Sequence, residues 1–238
     1  MTPYYSDGSV TIYHGDMLEV TGSVFGLAEN RPSILVTDPP YTAAGGSTNG
    51  RSGEADDQFF RFWLAAVAER LRFAMRPDSL GFVFADWRTI NLVAGAFREP
   101  GSRMRGGVWS CKQALVWDRD GIGMGAPFRN SFEMIAVVAA PEGRWDHLPR
   151  NIPTVIRHRW PYGVSEYHGA QKPVELCEQL VRWADPASGH PIVLDPFMGS
   201  GTTLVAAKNL GRKSIGIEIE ERYCEIAAQR LSQEVLAL

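Results

Sequence analysis

Short apolar runs alternate with helix-periodic segments along most of this 238-residue chain, and this alternation constrains the fold more than any other feature. Apolar, β-branched runs predict strands, and apolar residues spaced three and four positions apart predict amphipathic helices. Strands that alternate with helices form a mainly parallel sheet covered by helices on both faces. The sequence therefore predicts an α/β fold, and its length suits one domain.

The periodicity assigns each strand and helix to a range of residues. Strands are predicted at 10–14, 33–38, 80–85, 113–117, 132–139, 192–195 and 214–218. Helices are predicted at 57–75, 89–97, 173–183, 202–210 and 221–236. The strands 113–117 and 132–139 are interpreted as an antiparallel pair.

Two segments do not fit this alternation. Residues 42–56 are rich in Gly and Ser and contain no core residues, which predicts a flexible loop. Residues 141–167 mix aromatic and basic side chains without periodicity, which predicts a small insert packed on one edge of the sheet.

The charge of the chain is unevenly distributed. The formal net charge is −3, but residues 98–172 carry eleven Lys and Arg against seven Asp and Glu. This basic middle is compatible with a face that binds a polyanion, and equally with ordinary surface scatter. Charge alone therefore does not decide the class of partner.

Cysteine content and hydropathy bear on the compartment. Cys111, Cys177 and Cys224 are odd in number and far apart, which favours reduced thiols over a disulfide framework or a zinc site. No apolar run approaches the length of a membrane span, and the first residues lack a signal-peptide pattern. We expect a cytoplasmic protein with no membrane partner and no metal.

The first chemical motif is VTDPPY at residues 36–41, where a buried strand ends in Asp38. Pro39 and Pro40 fix two φ angles, remove two backbone donors and keep the preceding residues out of helical geometry. The result is a stiff strand tip that presents a carboxylate, unpaired carbonyls and the ring of Tyr41. An alternative interpretation is a strand that ends at prolines with a surface acid.

The second motif is VLDPFMGSGTT at residues 193–203, a strand, a glycine turn and a helix start. The helix N-terminus offers free N–H groups, but the Lys that a triphosphate loop requires is replaced by Thr202. Glu218 ends the next strand, where an acid commonly binds ribose hydroxyls. These features fit a nucleoside that carries a carboxylate in place of phosphates, which is the shape of S-adenosylmethionine; the alternative is a generic strand–helix turn.

Taken together, the motifs resemble those of the amino-methylating DNA methyltransferases in which the catalytic motif precedes the cofactor motif. DPPY at 38–41 is followed by DPFMGSGTT at 195–203, and HGAQKP at 168–173 is similar to the family's HxxQKP helix start. YHGD at 13–16 and the stretch 117–133 also resemble family segments. The resemblance implies a Rossmann-like methyltransferase sheet, mostly parallel with one antiparallel strand, helices on both faces and circularly permuted motif order.

The resemblance also implies roles for individual residues and a single domain over 1–238, with the target-recognition insert at about 141–167. The implied catalytic residues are Asp38, Pro39, Pro40 and Tyr41. The implied residues for S-adenosylmethionine are Asp16, Lys172, Asp195, Phe197, Gly199, Ser200, Gly201, Thr202 and Glu218. Candidates for contact with double-stranded DNA are Arg150, Asn151, Arg157 and Arg159, although solvated arginines are the commoner case.

Several alternatives remain open from sequence. Lys172 could be an exposed cation at a helix start, Asp16 a turn acid, and His168 is interpreted as structural. The Asp in the first motif favours adenine N6 as the methylated atom by family resemblance, with cytosine N4 as the runner-up. RNA or protein-amide methylation and a non-catalytic DNA-binding module are less favoured, and a homodimer or a restriction endonuclease partner is left open.

Overall fold

The computed structural model describes residues 1–25, 31–41, 54–98, 109–123, 127–160, 171–185 and 191–232, with the backbone alone for 54–57. Within these ranges the strands are β1 Tyr5–Ser6, β2 Val10–His14, β3 Ile34–Thr37, β4 Leu80–Ala85, β5 Ser110–Asp118, β6 Phe132–Ala139, β7 Val155–Arg157, β8 Ile192–Asp195 and β9 Lys213–Glu218. The helices are α1 Met17–Val24, α2 Glu54–Ala74, α3 Ile90–Ala96, α4 Val174–Ala184, α5 Thr202–Asn209 and α6 Glu221–Ser232.

All of these strands belong to one sheet, in the order β1-β2-β9-β8-β3-β4-β6-β5-β7. The central pairs are parallel, and β6 runs antiparallel to both β4 and β5, which confirms the predicted antiparallel pair. β7 adds to β5 in parallel, and the two-residue β1 is antiparallel to β2 at the opposite edge.

In the described part of the chain, three helices cover each face of the sheet. α1, α2 and α3 pack on one face, where Phe60, Leu64 and Leu71 form the buried stripe of α2. α4, α5 and α6 lie on the other, where Leu176 and Leu180 of α4 are fully buried against the sheet. Each such leucine contributes about 1.5–3 kcal/mol when it is removed from water, so both faces hold the central strands.

The strand order brings the two sequence motifs together. β3 lies directly between β8 and β4, and β9 and β2 follow β8, so five parallel strands end at one edge of the sheet. Asp16, Asp38, Asp195 and Glu218 stand at or just after four of these carboxyl ends. Because ligands of such sheets bind outside the carboxyl ends of the strands, this edge is where a site is expected.

Several elements differ from the sequence prediction. α1 was not predicted, because Val20, Thr21, Gly22 and Val24 are poor helix formers; Asp16 caps it instead, accepting a hydrogen bond from the Leu18 N–H at 2.7 Å. β1 and β7 are too short to show periodicity, and β7 places part of the predicted insert in the sheet itself.

Other boundaries reach the limits of the described residues. α2 begins at residue 54, one turn before its apolar period can be recognised, so the last three residues of the predicted loop 42–56 are helical. The rest of that loop, residues 161–167 of the insert, His168 and residues 233–236 of the last predicted helix lie outside the described ranges. No helix among the residues described combines the length and hydropathy needed to cross a membrane.

Candidate active site

A cavity of about 570 Å³ lies at the carboxyl edge of the parallel strands. It is lined by most of the residues that the sequence singled out, from both motifs. These are Asp16, Asp38, Pro40, Lys172, Asp195, Phe197, Gly199, Ser200, Thr202 and Glu218. The two motifs therefore share one cavity, although they lie far apart along the chain.

A direct hydrogen bond joins the two motifs at their strand tips. The Thr37 hydroxyl at the end of β3 donates to Oδ1 of Asp195 at 2.8 Å, across 158 positions of sequence. The Phe197 N–H donates to the same oxygen at 3.2 Å, which fixes the start of the glycine turn. Asp195 is buried, so this bond sets the distance between the strand tip at residues 38–41 and the glycine turn.

The two carboxylate oxygens of Asp38 have different surroundings. Oδ2 accepts a hydrogen bond from the Lys172 ammonium. Oδ1 is buried and has no hydrogen-bond partner among the described residues. A buried acceptor without a donor costs about 1–3 kcal/mol, and such groups cluster at functional sites. Asp38 therefore presents one unused acceptor, next to the cavity that it lines.

Tyr41 follows the two prolines and is held by strand β6. Its hydroxyl donates to Oε2 of Glu133 at 3.2 Å. Burial, followed by the nearby Asp38 and Glu133 carboxylates, raises the pKa of Tyr41 well above its usual value. The phenol is therefore neutral and remains a donor, which keeps the ring in place beside the Asp38 carboxylate.

The glycine turn is organised by Glu218. The N–H of Gly199 donates to Oε2 of Glu218 at 2.9 Å, and the N–H of Glu220 donates to Oε1 at 2.9 Å. Gly199 and Gly201 have φ of +50° and +81°, which glycine adopts without strain. Burial raises the pKa of Glu218 above its usual value, although the hydrogen bonds from these two N–H groups act in the opposite direction and lower it.

These residues fit S-adenosylmethionine. The partly buried carboxylate of Glu218 at the end of β9 suits a pair of ribose hydroxyls. Helix α5 begins at Thr202, and its cap residue Gly201 has no side chain to bond the first backbone N–H groups, which are therefore available to a ligand. Phe197 and Trp63, with ring centroids 5.5 Å apart, form an aromatic wall of the same cavity. The turn carries no Lys, which disfavours a nucleoside triphosphate.

Two acids in this group have structural partners as well. Asp16 lines the cavity and also caps α1, so the turn-acid interpretation and a cofactor contact are compatible. Burial is the main cause that raises the pKa of Asp195 to about 7, although the Thr37 hydroxyl and the Phe197 N–H lower it. Asp195 is thus partly protonated near neutral pH.

Lys172 does not lie exposed at a helix start, so that interpretation is wrong. Its side chain is 8% exposed, and its ammonium bonds Asp38 and lies 3.3 Å from Oε2 of Glu133. Burial alone lowers the pKa of Lys172, but the two carboxylates outweigh it and raise the pKa above its usual value. Lys172 also lines the cavity, so a contact with a cofactor carboxylate stays a prediction.

The structure separates the four candidate DNA-contacting residues into two places. Arg157 ends β7 at the same edge as the active site, where its guanidinium pairs with Asp118 at 2.9 Å, and the exposed Arg159 follows two residues later. Arg150 lines a different cleft of about 460 Å³ beside the amino end of β5, and the exposed Asn151 is its neighbour in the chain.

Sequence reasoning did not assign Glu133, Trp63 or Phe84 to the site. Glu133 starts β6 and contacts Tyr41, Lys172 and Arg119, the last at 3.5 Å. Trp63 of α2 and Phe84 of β4 line the cavity, and Phe84 lies 5.2 Å below the Lys172 ammonium. Glu133 was part of the stretch that resembles the family, which was the available signal; Trp63 and Phe84 look like ordinary core residues in sequence.

A mostly parallel sheet with helices on both faces, and a nucleoside-sized cavity at its strand ends, define an α/β methyltransferase that uses S-adenosylmethionine. Residues 33–229 match the N6/N4 DNA methylase family model, described as a DNA methylase. The match spans most of the chain, so this protein belongs to that family of S-adenosylmethionine-dependent DNA methyltransferases.

Individual relatives agree with this assignment. The type II methyltransferase M.ScaI of Streptomyces caespitosus is 26% identical, covering 99% of this chain and 86% of the relative. The crystal structure of the M1.HpyAVI–S-adenosylmethionine complex matches with 26% identity and a TM-score of 0.71, covering 94% of this chain and 100% of the other. The cytosine-N4-specific PvuII DNA methyltransferase shares the fold, with 17% identity and a TM-score of 0.77, over 99% and 90% of the two chains.

Substitution of Asp195 by Asn should change how stability depends on pH. Asp195 has a pKa of about 7 when folded, against about 4 when unfolded. Between these pH values the folded state binds more protons, so the free energy of unfolding falls as pH rises and levels off above the folded pKa. The amide that replaces the carboxyl group keeps an oxygen for the Thr37 and Phe197 donors but cannot ionise.

The expected result is that Asp195→Asn gains stability relative to the wild type between pH 5 and pH 8, by at most about 4 kcal/mol. Urea unfolding at several pH values measures this difference. Asp146→Asn, which alters an exposed carboxylate paired with Arg144, serves as the control and should show no such trend. A pH-independent offset between Asp195→Asn and the wild type would contradict the prediction.

Proposed function

We propose that this protein methylates the exocyclic N6 amine of adenine in double-stranded DNA, after the target base has left the duplex stack. The amine is a weak nucleophile because its lone pair is delocalised into the ring. A carboxylate cannot deprotonate it in advance, but it can accept an N–H hydrogen bond and stabilise the positive charge that develops on nitrogen. Preorganised electrostatics of this kind is usually the largest catalytic term.

The observation that carries the proposal is Oδ1 of Asp38, which no described residue bonds. It is a buried acceptor at the carboxyl end of β3, beside the cavity that also contains the glycine turn. An amine hydrogen would satisfy this oxygen once the base has entered and the groups that cover Oδ1 have moved aside. Because the tip of β3 is tied to Asp195 by the Thr37 hydroxyl, the acceptor and the cofactor residues are held at a fixed separation.

The remaining groups of the tip complete the proposed site. Pro39 and Pro40 leave carbonyl oxygens without neighbouring N–H groups, and the Pro39 carbonyl is assigned the second amine hydrogen. Two acceptors would aim the nitrogen lone pair, and Tyr41 would offer the base a π face. Glu218 and the Gly199–Gly201 turn would hold S-adenosylmethionine, which would supply the methyl group and leave as S-adenosylhomocysteine. The N–CH3 bond would form as the S–CH3 bond breaks, and the methylated nitrogen would then lose one proton to solvent.

The edge around the cavity has features suited to DNA. Phe128 in the β5–β6 connection is 91% exposed, and Trp87 just after β4 is 58% exposed. Arg157 and Arg159 stand at the same edge, where they could pair with phosphates or base edges. We propose that Arg157 and Arg159 contact DNA near the target base, and that Arg150 and Asn151 contact it further away.

The identity of one residue, the first of the DPPY motif, favours adenine over cytosine as the methylated base. The first position of the DPPY motif is Asp38, whereas cytosine-N4 enzymes of this family more often carry Ser there. The fold does not separate the two bases, since the cytosine-N4-specific PvuII DNA methyltransferase shares it. Cytosine N4 is therefore the second candidate.

The test is direct analysis of the modified base. Unmethylated genomic DNA is incubated with the protein and S-adenosylmethionine, digested to nucleosides and measured by mass spectrometry. We expect N6-methyl-2′-deoxyadenosine to be the one modified nucleoside that accumulates. Accumulation of N4-methyl-2′-deoxycytidine in its place would show that cytosine, and not adenine, is the methylated base. Sequencing of the same DNA for modified bases would give the recognition site.

A further inference from the structure

Five side chains from four different segments form one partly buried charged network at the strand tip of Asp38 and Tyr41. Glu133 at the start of β6 is its centre: Oε2 receives the Tyr41 hydroxyl at 3.2 Å and lies 3.3 Å from the Lys172 ammonium. Its other oxygen, Oε1, lies 3.5 Å from the guanidinium of Arg119. Lys172 then bonds Oδ2 of Asp38.

The network is mostly removed from solvent and balanced in charge, although the side chain of Asp38 is 31% exposed. The side chains of Lys172, Glu133 and Arg119 are 8%, 12% and 14% exposed. Two carboxylates face two cations, so no charge in the group is left uncompensated, as burial requires. Arg119 is itself held by the Asn130 carbonyl at 2.6 Å and lies over the Trp160 ring, so Glu133 is fixed from outside the active site.

This arrangement accounts for the unequal oxygens of Asp38. The Lys172 ammonium, which can only donate, bonds Oδ2, and no described residue donates to Oδ1, so that oxygen is left for another donor. Glu133 holds Lys172 and Tyr41 at once, which couples the carboxylate of the tip to its aromatic ring. Because β6 is antiparallel to its neighbours, its amino end reaches this edge of the sheet.

We propose that Lys172 and Glu133 are positioning residues that hold Asp38 and Tyr41 in register for the target amine, rather than residues that bind the cofactor. The inference rests on the proposed function of Asp38 as the amine acceptor. It assigns Lys172 away from the carboxylate of S-adenosylmethionine, because both of its observed partners belong to the catalytic side of the cavity.

The test separates binding from turnover. Lys172→Met keeps the length of the aliphatic stem and removes the ammonium. With saturating genomic DNA and varied radiolabelled S-adenosylmethionine, we expect kcat to fall between about 10- and 100-fold, the effect of a misplaced reacting group. The KM for S-adenosylmethionine, and its Kd by calorimetry, should stay within about twofold. A Kd that weakens tenfold or more, with kcat restored at saturation, would overturn the proposal.

Glu133→Gln provides the second variant, in case Lys172→Met fails to fold. It keeps one oxygen for Tyr41 and Lys172 but turns an amide N–H₂ towards Arg119, so kcat should again fall while Kd is unchanged. Since the two residues act through one network, Lys172→Met/Glu133→Gln should be no slower than Lys172→Met. Multiplied losses, or an unaffected kcat in Glu133→Gln, would count against a shared role.

Two controls complete the design. Glu142→Gln alters an exposed carboxylate beyond the far end of β6 and should match the wild type. The methylated base is identified in every reaction. Methylation of cytosine would overturn the proposed base, but the values of kcat and Kd would still decide whether Lys172 and Glu133 are positioning residues. The identity of the methylated base and the positioning role of the charged network are therefore tested separately.

Discussion

Asp38→Ala should lower the rate of methyl transfer by about 10³-fold or more, while binding of S-adenosylmethionine is retained. The variant removes the buried acceptor for the amine hydrogen and the charge that stabilises the developing cation, each of which is a large catalytic term. Glu133 still lies 3.3 Å from Lys172, so the buried ammonium keeps one partner and the fold should persist. Single-turnover rates on genomic DNA, with Kd by calorimetry and a melting curve, measure all three quantities.

Asp38→Asn makes a sharper test of the same site. An amide has one acceptor oxygen and one N–H₂ donor group, and Lys172 can only donate. The amide oxygen should therefore turn to Lys172, in the place of Oδ2, and the N–H₂ should occupy the place of Oδ1. A donor would then face the amine hydrogen, so Asp38→Asn should be as inactive as Asp38→Ala.

The neighbouring lysine should control this outcome. In Asp38→Asn/Lys172→Met the amide is free to turn its oxygen towards the cavity, and the double variant should transfer methyl groups about 10-fold faster than Asp38→Asn alone. Removal of a second active-site residue would thus restore activity. If Asp38→Asn alone keeps most of the wild-type rate, the division of roles between the two oxygens is wrong.

How far the sequence predicts this site depends on the direction of the strands. Asp38, Asp195 and Glu218 were each recognised as strand-end residues, and parallel strands end at one edge, so their meeting follows once the sheet is parallel. The fold class was predictable from the alternation of strands and helices, and the cofactor from the glycine turn and Glu218. The family was predictable only from the resemblance of the motifs.

The charged network was not predictable in this way. Lys172 and Asp38 are 134 positions apart, and Tyr41 and Glu133 are 92 apart. Glu133 reaches the site only through the register of the antiparallel strands, where Trp117 is opposite Glu133. Register depends on which residues pack across two strands, and sequence periodicity does not contain that information.

The basic residues of the predicted insert illustrate a second limit. Arg150 and Arg157 lie only seven positions apart, yet Arg157 joins β7 at the edge of the active site and Arg150 lines a separate cleft. A three-residue strand decides the difference, and so short a strand carries no readable pattern. Composition located a basic segment but not the direction in which its side chains point.

Addition of a single methyl group in the glycine turn, at Gly201, should lower the stability of the fold strongly. Gly201 precedes α5 with φ +81°, and a Cβ built on it would lie 2.9 Å from Cβ of the fully buried Ala227 in α6. The left-handed backbone costs an alanine about 1–2 kcal/mol, and overpacking adds about 1–3 kcal/mol. Gly201→Ala should therefore be destabilised by about 2–5 kcal/mol in urea unfolding.

Gly211→Ala separates the two causes of that loss. Gly211 also has positive φ, +65°, but a Cβ there would meet no atom of the described residues within 4 Å, and it lies at the other end of α5 from the cavity. It should lose only the backbone contribution, about 1–2 kcal/mol, and bind S-adenosylmethionine like the wild type. Gly201→Ala should bind it more weakly as well, because α5 or α6 must move to admit the methyl group. Equal destabilisation of the two variants would mean that backbone conformation, and not the contact between the turn and α6, limits what residue 201 can be.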